Sequence, residues 1–311
     1  MKRIVAFCAV LLAVAGETAS AAERFAWRGL MVDEGRFFFG KDAAKTMMDR
    51  MAANGLNVFH WHLTEDQGWR LEIRKFPELT EIGAVRPYSP KVHTEKEPDG
   101  VKYGPFFYTE KDVAEILAYA KARGIRVVPE IEIPGHVRAL LAAHPEFSCR
   151  GDLPKETPGW FDIMEDVLCA GNDEAIRYLE QVFDEVCRIF PDEVIHIGGD
   201  ECPRINWEKC PKCRERMKKE GFTKAGQLQG WITRHIAARL AKRGRRIMGW
   251  DEILADDPGK VGAVVAQRHH PSDEIMDRPH QNAPDRNDEE SDLAELDADV
   301  PRILKRDGII F

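Results

Sequence analysis

The chain has no long hydrophobic run. Its longest apolar stretch, residues 4–16, is too short to span a bilayer. It also lacks an excess of basic residues, since 45 Lys and Arg stand against 53 Asp and Glu, and its formal net charge is −8. No Gly-x-Gly-x-x-Gly and no P-loop follows the first predicted strand. These absences exclude a multi-span membrane protein, a general nucleic-acid binder and a nucleotide-binding sheet of the usual kind.

Aromatic residues are almost missing from the C-terminal part of the chain. All seven Trp and all five Tyr lie at or before Trp250, and after Phe222 the only Phe is Phe311. Residues 271–311 carry a net charge of −7, nearly all of the charge of the chain. Such a composition is typical of disordered segments. The sequence predicts an aromatic-rich body followed by an acidic tail at 267–311, with a short helix near 288–298.

The N-terminus has the features of a secretory signal peptide. Lys2 and Arg3 precede the apolar stretch, and residues 19–21 (Ala-Ser-Ala) form a small-residue cleavage site. We predict removal of residues 1–21, a secreted or periplasmic mature chain and no membrane attachment after cleavage. An uncleaved membrane anchor is the alternative, which the shortness of the apolar stretch disfavours.

Six cysteines follow this segment: Cys149, Cys169, Cys187, Cys202, Cys210 and Cys213. An exported chain meets oxidising conditions, so an even number of cysteines predicts disulfides, whose pairing the sequence leaves open. Cys210 and Cys213 form a Cys-x-x-Cys pair that could bind zinc together with Cys202. A tetrahedral site needs a fourth ligand, however, and no second Cys-x-x-Cys pair supplies one. We therefore expect disulfides and no metal.

Apolar strands alternate with amphipathic helices along the body. Strands are predicted at 28–33, 57–62, 125–133, 194–199, 246–250 and 261–266, and helices at 41–54, from 109 onward, at 174–190 and at 226–243. This alternation is typical of an α/β fold with a parallel sheet. The long segment 63–108 interrupts it, and loops of that length tend to carry function.

Ionisable side chains stand at the ends of five successive predicted strands. They are Asp33, His60/His62, Glu130/Glu132, Asp200/Glu201 and Asp251/Glu252. A barrel gathers the carboxyl ends of all its strands at one mouth, whereas a doubly wound sheet gathers only those beside its switch point. We therefore favour a (β/α)₈ TIM-barrel type over a doubly wound sheet, with about six strands recognisable.

The densest group of polar residues is HIGGDE at 196–201, where two glycines precede two adjacent carboxylates. Two neighbouring acids repel each other when both are ionised, so the pKa of one tends to rise and that acid can donate a proton. A surface Asp–Glu pair is the alternative interpretation. Directly after a buried strand, a functional pair is favoured.

HIGGDE resembles the catalytic signature of the family 20 glycoside hydrolases, the β-N-acetylhexosaminidases. Four other segments resemble this family in the same order: RGLMVDEGR (28–36), FHWHLTEDQGWRLEI (59–73), PEIEIPGH (129–136) and MGWDE (248–252). The resemblance covers roughly residues 24–266. It implies a barrel enzyme that removes terminal N-acetylglucosamine or N-acetylgalactosamine from a glycan substrate and needs no cofactor.

The resemblance also implies the roles of the adjacent acids. Glu201 is implied as the general acid/base, and Asp200 as the group that orients the substrate's 2-acetamido group. That group attacks the anomeric carbon in place of an enzyme nucleophile, and the configuration is retained. Adjacency fits this scheme, because an enzyme nucleophile and an acid would have to flank the sugar from opposite sides.

Five substrate-binding residues are implied in the same way. Arg28 matches an arginine that holds sugar hydroxyls, and Glu65 stands where the family often has a sugar-contacting Asp. His136 matches an active-site histidine, and His196 is expected to hold other groups in place. Trp250 matches a tryptophan that walls the acetamido pocket, since aromatic faces suit the apolar face of a pyranose.

The family pattern is lost after residue 266. The first five strands use about 45 residues each, so eight would need roughly 350, more than this chain contains. The Trp of a sixth strand and the Tyr, Asp, Trp and Glu of the last two strands have no counterpart after that point. We therefore expect an incomplete catalytic barrel at 22–266, with poor solubility and weak or absent activity as the chain stands.

Two other functions stay open. One is a non-catalytic, secreted carbohydrate-binding remnant of such an enzyme. The other is a different barrel glycosidase, in which Asp200 and Glu201 work with a distant carboxylate nucleophile.

Overall fold

The structure is a computed structural model, and it describes residues 25–89, 101–255, 264–267 and 309–310. Its strands are β1 (Trp27–Asp33), β2 (Val58–His62), β3 (Thr64–Glu65), β4 (Gly68–Trp69), β5 (Arg126–Glu130), β6 (Val194–His196), β7 (Arg246–Trp250), β8 (Val264–Gln267) and β9 (Ile309–Ile310). Its α-helices are α1 (Lys41–Ala53), α2 (Glu78–Glu81), α3 (Glu110–Lys121), α4 (Arg138–Ala143), α5 (Asp173–Ile189), α6 (Ile205–Lys209), α7 (Pro211–Glu220) and α8 (Gln227–Ala241).

The main sheet is parallel and runs in the order β8-β7-β6-β5-β2-β1-β9, while β3 and β4 form a separate antiparallel hairpin. From β1 to β8 the neighbouring strands of this sheet follow one another in the order of the chain, with no reversal. A doubly wound sheet would reverse at its switch point. The predicted TIM-barrel type is therefore confirmed, as a partial (β/α) barrel.

The sequence predicted a strand at one end of this sheet but not at the other. β8 overlaps the predicted sixth strand at 261–266. β9 belongs to the segment predicted as an acidic tail, and no strand was predicted there. It pairs with the start of β1, Trp27 with Ile309 and Arg28 with Ile310.

The inside of the sheet is packed in layers that become polar toward the carboxyl ends of the strands. The first layer is apolar and consists of Val58, Val128, Val194 and Met248. Inward positions recur every second residue along a strand. The next layer is ionisable or polar and consists of His60, Glu130, His196 and Trp250, all buried. This order directs charged groups to the carboxyl edge of the sheet.

The helices cover the outside of the sheet with the apolar faces that the sequence predicts. On α5, Leu179, Val182 and Phe183 are buried in the larger hydrophobic core. The start of α3 is fixed by a capping box between Thr109 and Asp112, each side chain accepting a hydrogen bond from the backbone N–H of the other. Within the described ranges, we find no helix with the length and apolar character that membrane crossing requires.

β6 is shorter than predicted because glycines end it. The strand was expected over 194–199 but stops at His196. Gly198 and Gly199 take positive φ angles of 62° and 98°. A Cβ on Gly198 would lie 1.8 Å from a carboxylate oxygen of Glu132, so no other residue fits there without displacing that carboxylate.

The predicted disulfides are not formed, since all six described cysteines are free thiols. The grouping of Cys202 with Cys210 and Cys213 was also wrong. The sulfurs that lie near those of Cys210 and Cys213 belong to Cys149 and Cys169. Proximity in sequence misled here, because the chain brings these two distant loops together.

The signal peptide at 1–21, the helix near 288–298 and nearly all of the tail at 267–311 lie outside the described residues. The proposed division into 1–21, 22–266 and 267–311 stays a prediction.

Candidate active site

The candidate site lies at the carboxyl edge of the parallel sheet. Asp33 and His62 end β1 and β2, and Trp250 ends β7. Glu132 and Asp200 follow β5 and β6 within a few residues. In barrel enzymes this edge carries the catalytic groups, because loops of different lengths can meet there without disturbing the sheet.

A left-handed turn presents the adjacent acids. Glu201 has φ of +45°, a conformation that non-glycine residues adopt rarely and that concentrates at functional sites. The turn is fixed from two sides, since Trp250 N–H donates to Gly198 O at 3.0 Å and the Gln229 side chain donates to Gly199 O at 2.5 Å. The two side chains differ in access: Glu201 is 27% exposed and Asp200 10%.

His136 faces both acids from a second strained turn, with φ of +48°. Its Nε2 lies 3.4 Å from Glu201 Oε2 and 3.7 Å from Asp200 Oδ2. On the other side of the ring, Nδ1 lies 2.8 Å from Glu65 Oε1 and 3.0 Å from Asp66 Oδ2. Burial alone would lower the pKa of His136, but Glu65 and the other carboxylates raise it well above its usual value. The imidazolium is therefore the stable form near neutral pH.

Arg36 supplies a second cation at the edge of the site. Its guanidinium donates to Asp33 Oδ2 at 2.7 Å and lies 3.4 Å from Glu65 Oε2. Although burial favours the neutral acid, His136 and Arg36 lower the pKa of Glu65. The Arg36 side chain remains 30% exposed beside the ionised Glu65.

Glu132 lies beneath the turn at residues 198–201 and is a neutral acid. Burial, together with the charges of Asp200 and Glu130, raises its pKa well above the usual value. The backbone N–H of Gly199 donates to Glu132 Oε2 at 3.3 Å. A protonated Glu132 supports the turn without adding a further negative charge beside Asp200.

Glu130 organises the layer below the acids. It accepts a hydrogen bond from Trp250 Nε1 at 3.0 Å, and its two oxygens lie 2.7 Å from His60 Nε2 and 2.8 Å from His196 Nδ1. Burial lowers the pKa of His196 to about 4. The ligand atoms of His60, Glu130 and His196 lie within 4.8 Å of one another, so an ion could be held there. The expectation of no metal and no cofactor stays a prediction.

The structure brings together six of the seven site residues that the sequence predicted. Asp200, Glu201, His136 and Glu65 lie within one chain of short contacts. His196 and Trp250 lie in the layer beneath, joined through Glu130.

Arg28 is placed elsewhere, and its predicted contact with sugar hydroxyls is corrected. It stands near the amino end of β1, five residues and therefore about 16 Å from Asp33 at the carboxyl end. Its side chain donates to the backbone oxygens of Phe25 and Gly55. The arginine that reaches the site is Arg36, which follows the carboxyl end of β1. Its position after the strand was the signal in the sequence, and the choice of Arg28 overlooked it.

The cationic His136 predicts a specific pH dependence of stability. The folded chain holds this proton above pH about 6.5, where an unfolded chain releases it, so the free energy of unfolding falls as pH rises toward the folded-state pKa. His136→Asn should remove up to about 1.4 kcal/mol per pH unit of this slope. Urea unfolding at several pH values above neutrality measures it. His62 should still contribute to the slope in this variant. Burial lowers the pKa of His62, but Glu130 and Asp33 raise it, and the net effect is an increase. An unchanged slope in the variant would contradict the assignment of charge to His136.

The comparisons with known proteins agree with one another. Residues 25–277 match the family described as glycosyl hydrolase family 20, catalytic domain. A beta-hexosaminidase from Porphyromonas gingivalis is 42% identical over 244 residues, which cover 78% of this chain and 30% of that protein. One from Vibrio furnissii is 40% identical over 244 residues, covering 78% and 40%. The chain thus spans less than half the length of these curated relatives.

Solved structures give the same result. A chitobiase from Flavobacterium johnsoniae superposes with a TM-score of 0.68 at 37% identity, covering 78% of this chain and 34% of that one. An exo β-N-acetylglucosaminidase from Vibrio harveyi, in complex with N-acetylglucosamine, superposes with a TM-score of 0.66 at 34% identity, covering 76% and 37%.

Proposed function

The chain belongs to glycosyl hydrolase family 20, and from this premise we propose that its barrel is the catalytic part of an exo-acting β-N-acetylhexosaminidase. The proposed substrate is a glycan ending in N-acetylglucosamine or N-acetylgalactosamine. The observation that carries the proposal is the Asp200–Glu201 pair, presented on a left-handed turn and faced by the cationic His136. The residue roles below are part of the proposal.

Glu201 is the proton donor, because it is the more exposed of the two acids and therefore the more open to a leaving-group oxygen. In the first step it gives its proton to that oxygen as the bond to the anomeric carbon breaks. In the second step it takes a proton from the water that attacks the same carbon, which restores the acid.

Asp200 orients the substrate's own nucleophile. Its carboxylate accepts a hydrogen bond from the acetamido N–H, so the carbonyl oxygen of that group points at the anomeric carbon and attacks it. The bond to the leaving oxygen breaks, and a cyclic oxazolinium forms. Water then opens this ring, and two inversions give retention. The Asp200 carboxylate would then lie beside the positive charge that develops in the oxazolinium and would stabilise it.

A protein nucleophile is less well supported by the neighbouring carboxylates. Glu65 and Asp66 are engaged by His136, and Glu130 by His60, His196 and Trp250. Glu132 is held neutral. These engagements favour attack by the acetamido group over attack by any of these four carboxylates.

Arg36 is the group we propose for holding sugar hydroxyls. Replacement by Ala should lower kcat/KM by about 10- to 100-fold, because a charged, forked donor is removed beside the site. Arg28→Ala is the matched control, since the Arg28 side chain donates to the backbone oxygens of Phe25 and Gly55 near the amino end of β1, and it should leave kcat/KM near that of the parent chain. Steady-state kinetics on one aryl N-acetyl-β-glucosaminide compares the two variants. The reverse ranking would restore the role first predicted for Arg28.

The activity itself is tested with two aryl glycosides that differ only at the 2-position. Although we expect the activity of the chain as it stands to be weak, that activity should be hydrolysis of the N-acetyl-β-glucosaminide and not of the β-glucoside, because the glucoside lacks the attacking group. A thiazoline mimic of the oxazolinium should inhibit it. Hydrolysis of both glycosides would indicate a carboxylate nucleophile instead. Binding of N-acetylglucosamine with no turnover would identify the non-catalytic remnant.

We also propose that the mature protein is secreted or periplasmic. The support is the pattern of charged, apolar and small residues in the N-terminal segment.

A further inference from the structure

Four cysteine sulfurs from separate segments lie close together, away from the turn at residues 198–201 that carries the proposed catalytic acids (the catalytic turn). Cys149 follows the short 3₁₀ turn after α4, and Cys169 lies just before α5. Cys210 and Cys213 stand at the start of α7. All four sulfurs lie within 4.8 Å of one another.

The spacing of these sulfurs is that of a tetrahedral metal site. Cys149 and Cys213 are 3.7 Å apart, Cys169 and Cys210 3.8 Å, and Cys169 and Cys213 3.6 Å. A disulfide needs about 2.05 Å between its sulfurs. Four thiolates at about 2.3 Å from a central zinc ion are about 3.8 Å from one another, the edge of a regular tetrahedron.

Contacts other than those of the cysteine side chains hold these loops together, so the fold itself places the four sulfurs. Trp207 Nε1 donates to Leu168 O at 2.9 Å, and the backbone N–H of Cys169 donates to Phe147 O at 2.8 Å. Gly171 lies so close to α7 that a Cβ there would fall 2.4 Å from the nitrogen of Cys213.

We propose that Cys149, Cys169, Cys210 and Cys213 bind one Zn²⁺ ion as a tetrathiolate site. Sulfur ligands select a soft ion over Mg²⁺ or Ca²⁺, and four protein ligands fill a tetrahedral zinc shell. With no open position, the ion is structural and takes no part in hydrolysis. Cys169, Cys210 and Cys213 are buried, which protects three of the four bonds from solvent.

The proposed ion would link three segments of the chain. The segment from Cys202 to Cys213 leaves directly from Glu201 at the catalytic turn. Zinc at its far end would tie that segment to the loops carrying Cys149 and Cys169. It would therefore limit the freedom of the chain on which the catalytic acids lie.

The first test is the metal content of the full chain, purified without chelator and analysed by plasma mass spectrometry. One zinc per chain is expected. Cys213→Ser should lose it, and Cys187→Ser should keep it, because Cys187 lies on α5 and is not one of the four. Exchange with Co²⁺ should give the visible absorption of a tetrahedral thiolate complex in the parent and in Cys187→Ser only. Removal of the zinc should lower Tm by about 10 °C.

The second test needs no variant and therefore does not depend on how a variant folds. The parent chain is denatured in chelator and treated with an alkylating agent, and the labelled cysteines are identified by peptide mass spectrometry. All four should be labelled without prior reduction. If they become labelled only after a reductant is added, they form disulfides and the proposal is wrong. Absence of zinc from the freshly purified chain, or iron in its place, would also overturn it.

Discussion

Glu201→Gln is expected to lower kcat by about 10²- to 10⁴-fold on a substrate with a sugar or alkyl leaving group. Glutamine has nearly the shape of glutamic acid but no proton of suitable acidity to give. The glycosidic oxygen would then leave as an alkoxide, which is a poor leaving group. The fold should be unaffected, because the side chain is partly exposed and its contact with His136 Nε2 is long, at 3.4 Å.

The choice of leaving group separates a proton donor from a merely structural residue. An aryl leaving group with a low pKa departs without protonation, so the loss in the first step should be much smaller for it. Glu208→Gln is the matched control, since Glu208 is exposed on α6, and its kinetics should equal those of the parent chain. An equal loss for both leaving groups would show that Glu201 acts through the shape of the site and not as an acid.

The fold and the central acids could be predicted from the sequence because both depend on local patterns. Strand–helix alternation and polar residues at strand ends need only the order of neighbouring residues, and they led to the barrel and to Asp200 and Glu201. Glu65 was placed by the resemblance to family 20, in which its position often holds a sugar-contacting Asp, and it lies on β3 directly after β2. Gly198 and Gly199, which end β6, are also visible in the sequence, but the prediction included both glycines in the strand.

The wrong predictions have a different origin. They concern which end of β1 carries the site and which residues distant in sequence come into contact. Arg28 and Arg36 lie in the same motif, and the choice of Arg28 overlooked that Arg36 is the one that follows the carboxyl end of β1. Cys149 and Cys169 are isolated in sequence, so nothing local indicates that they meet Cys210 at the start of α7. The neutral state of Glu132 and the charge of His136 likewise depend on which carboxylates the fold places beside them.

Asp200→Asn is expected to lower kcat on N-acetyl-β-glucosaminides by about 10²- to 10³-fold, whatever the leaving group. The carboxylate accepts a hydrogen bond from the acetamido N–H and stabilises positive charge in the oxazolinium. An Asn amide is neutral, and its NH₂ end can donate to the acetamido carbonyl and turn the nucleophilic oxygen away from the anomeric carbon. The pattern therefore differs from that of Glu201→Gln, whose loss depends on the leaving group.

Inhibitor binding tests whether Asp200 acts on the acetamido group. A thiazoline that mimics the oxazolinium should lose affinity in Asp200→Asn by about the same factor as kcat/KM falls, because a transition-state mimic senses the interaction that stabilises the intermediate. Asp152→Asn, an exposed loop position, should change neither. If thiazoline affinity were unchanged while turnover fell, Asp200 would be acting on Glu201 or His136 instead. The geometric support for that explanation is the position of Asp200 Oδ2, which lies 3.7 Å from Nε2 of the cationic His136.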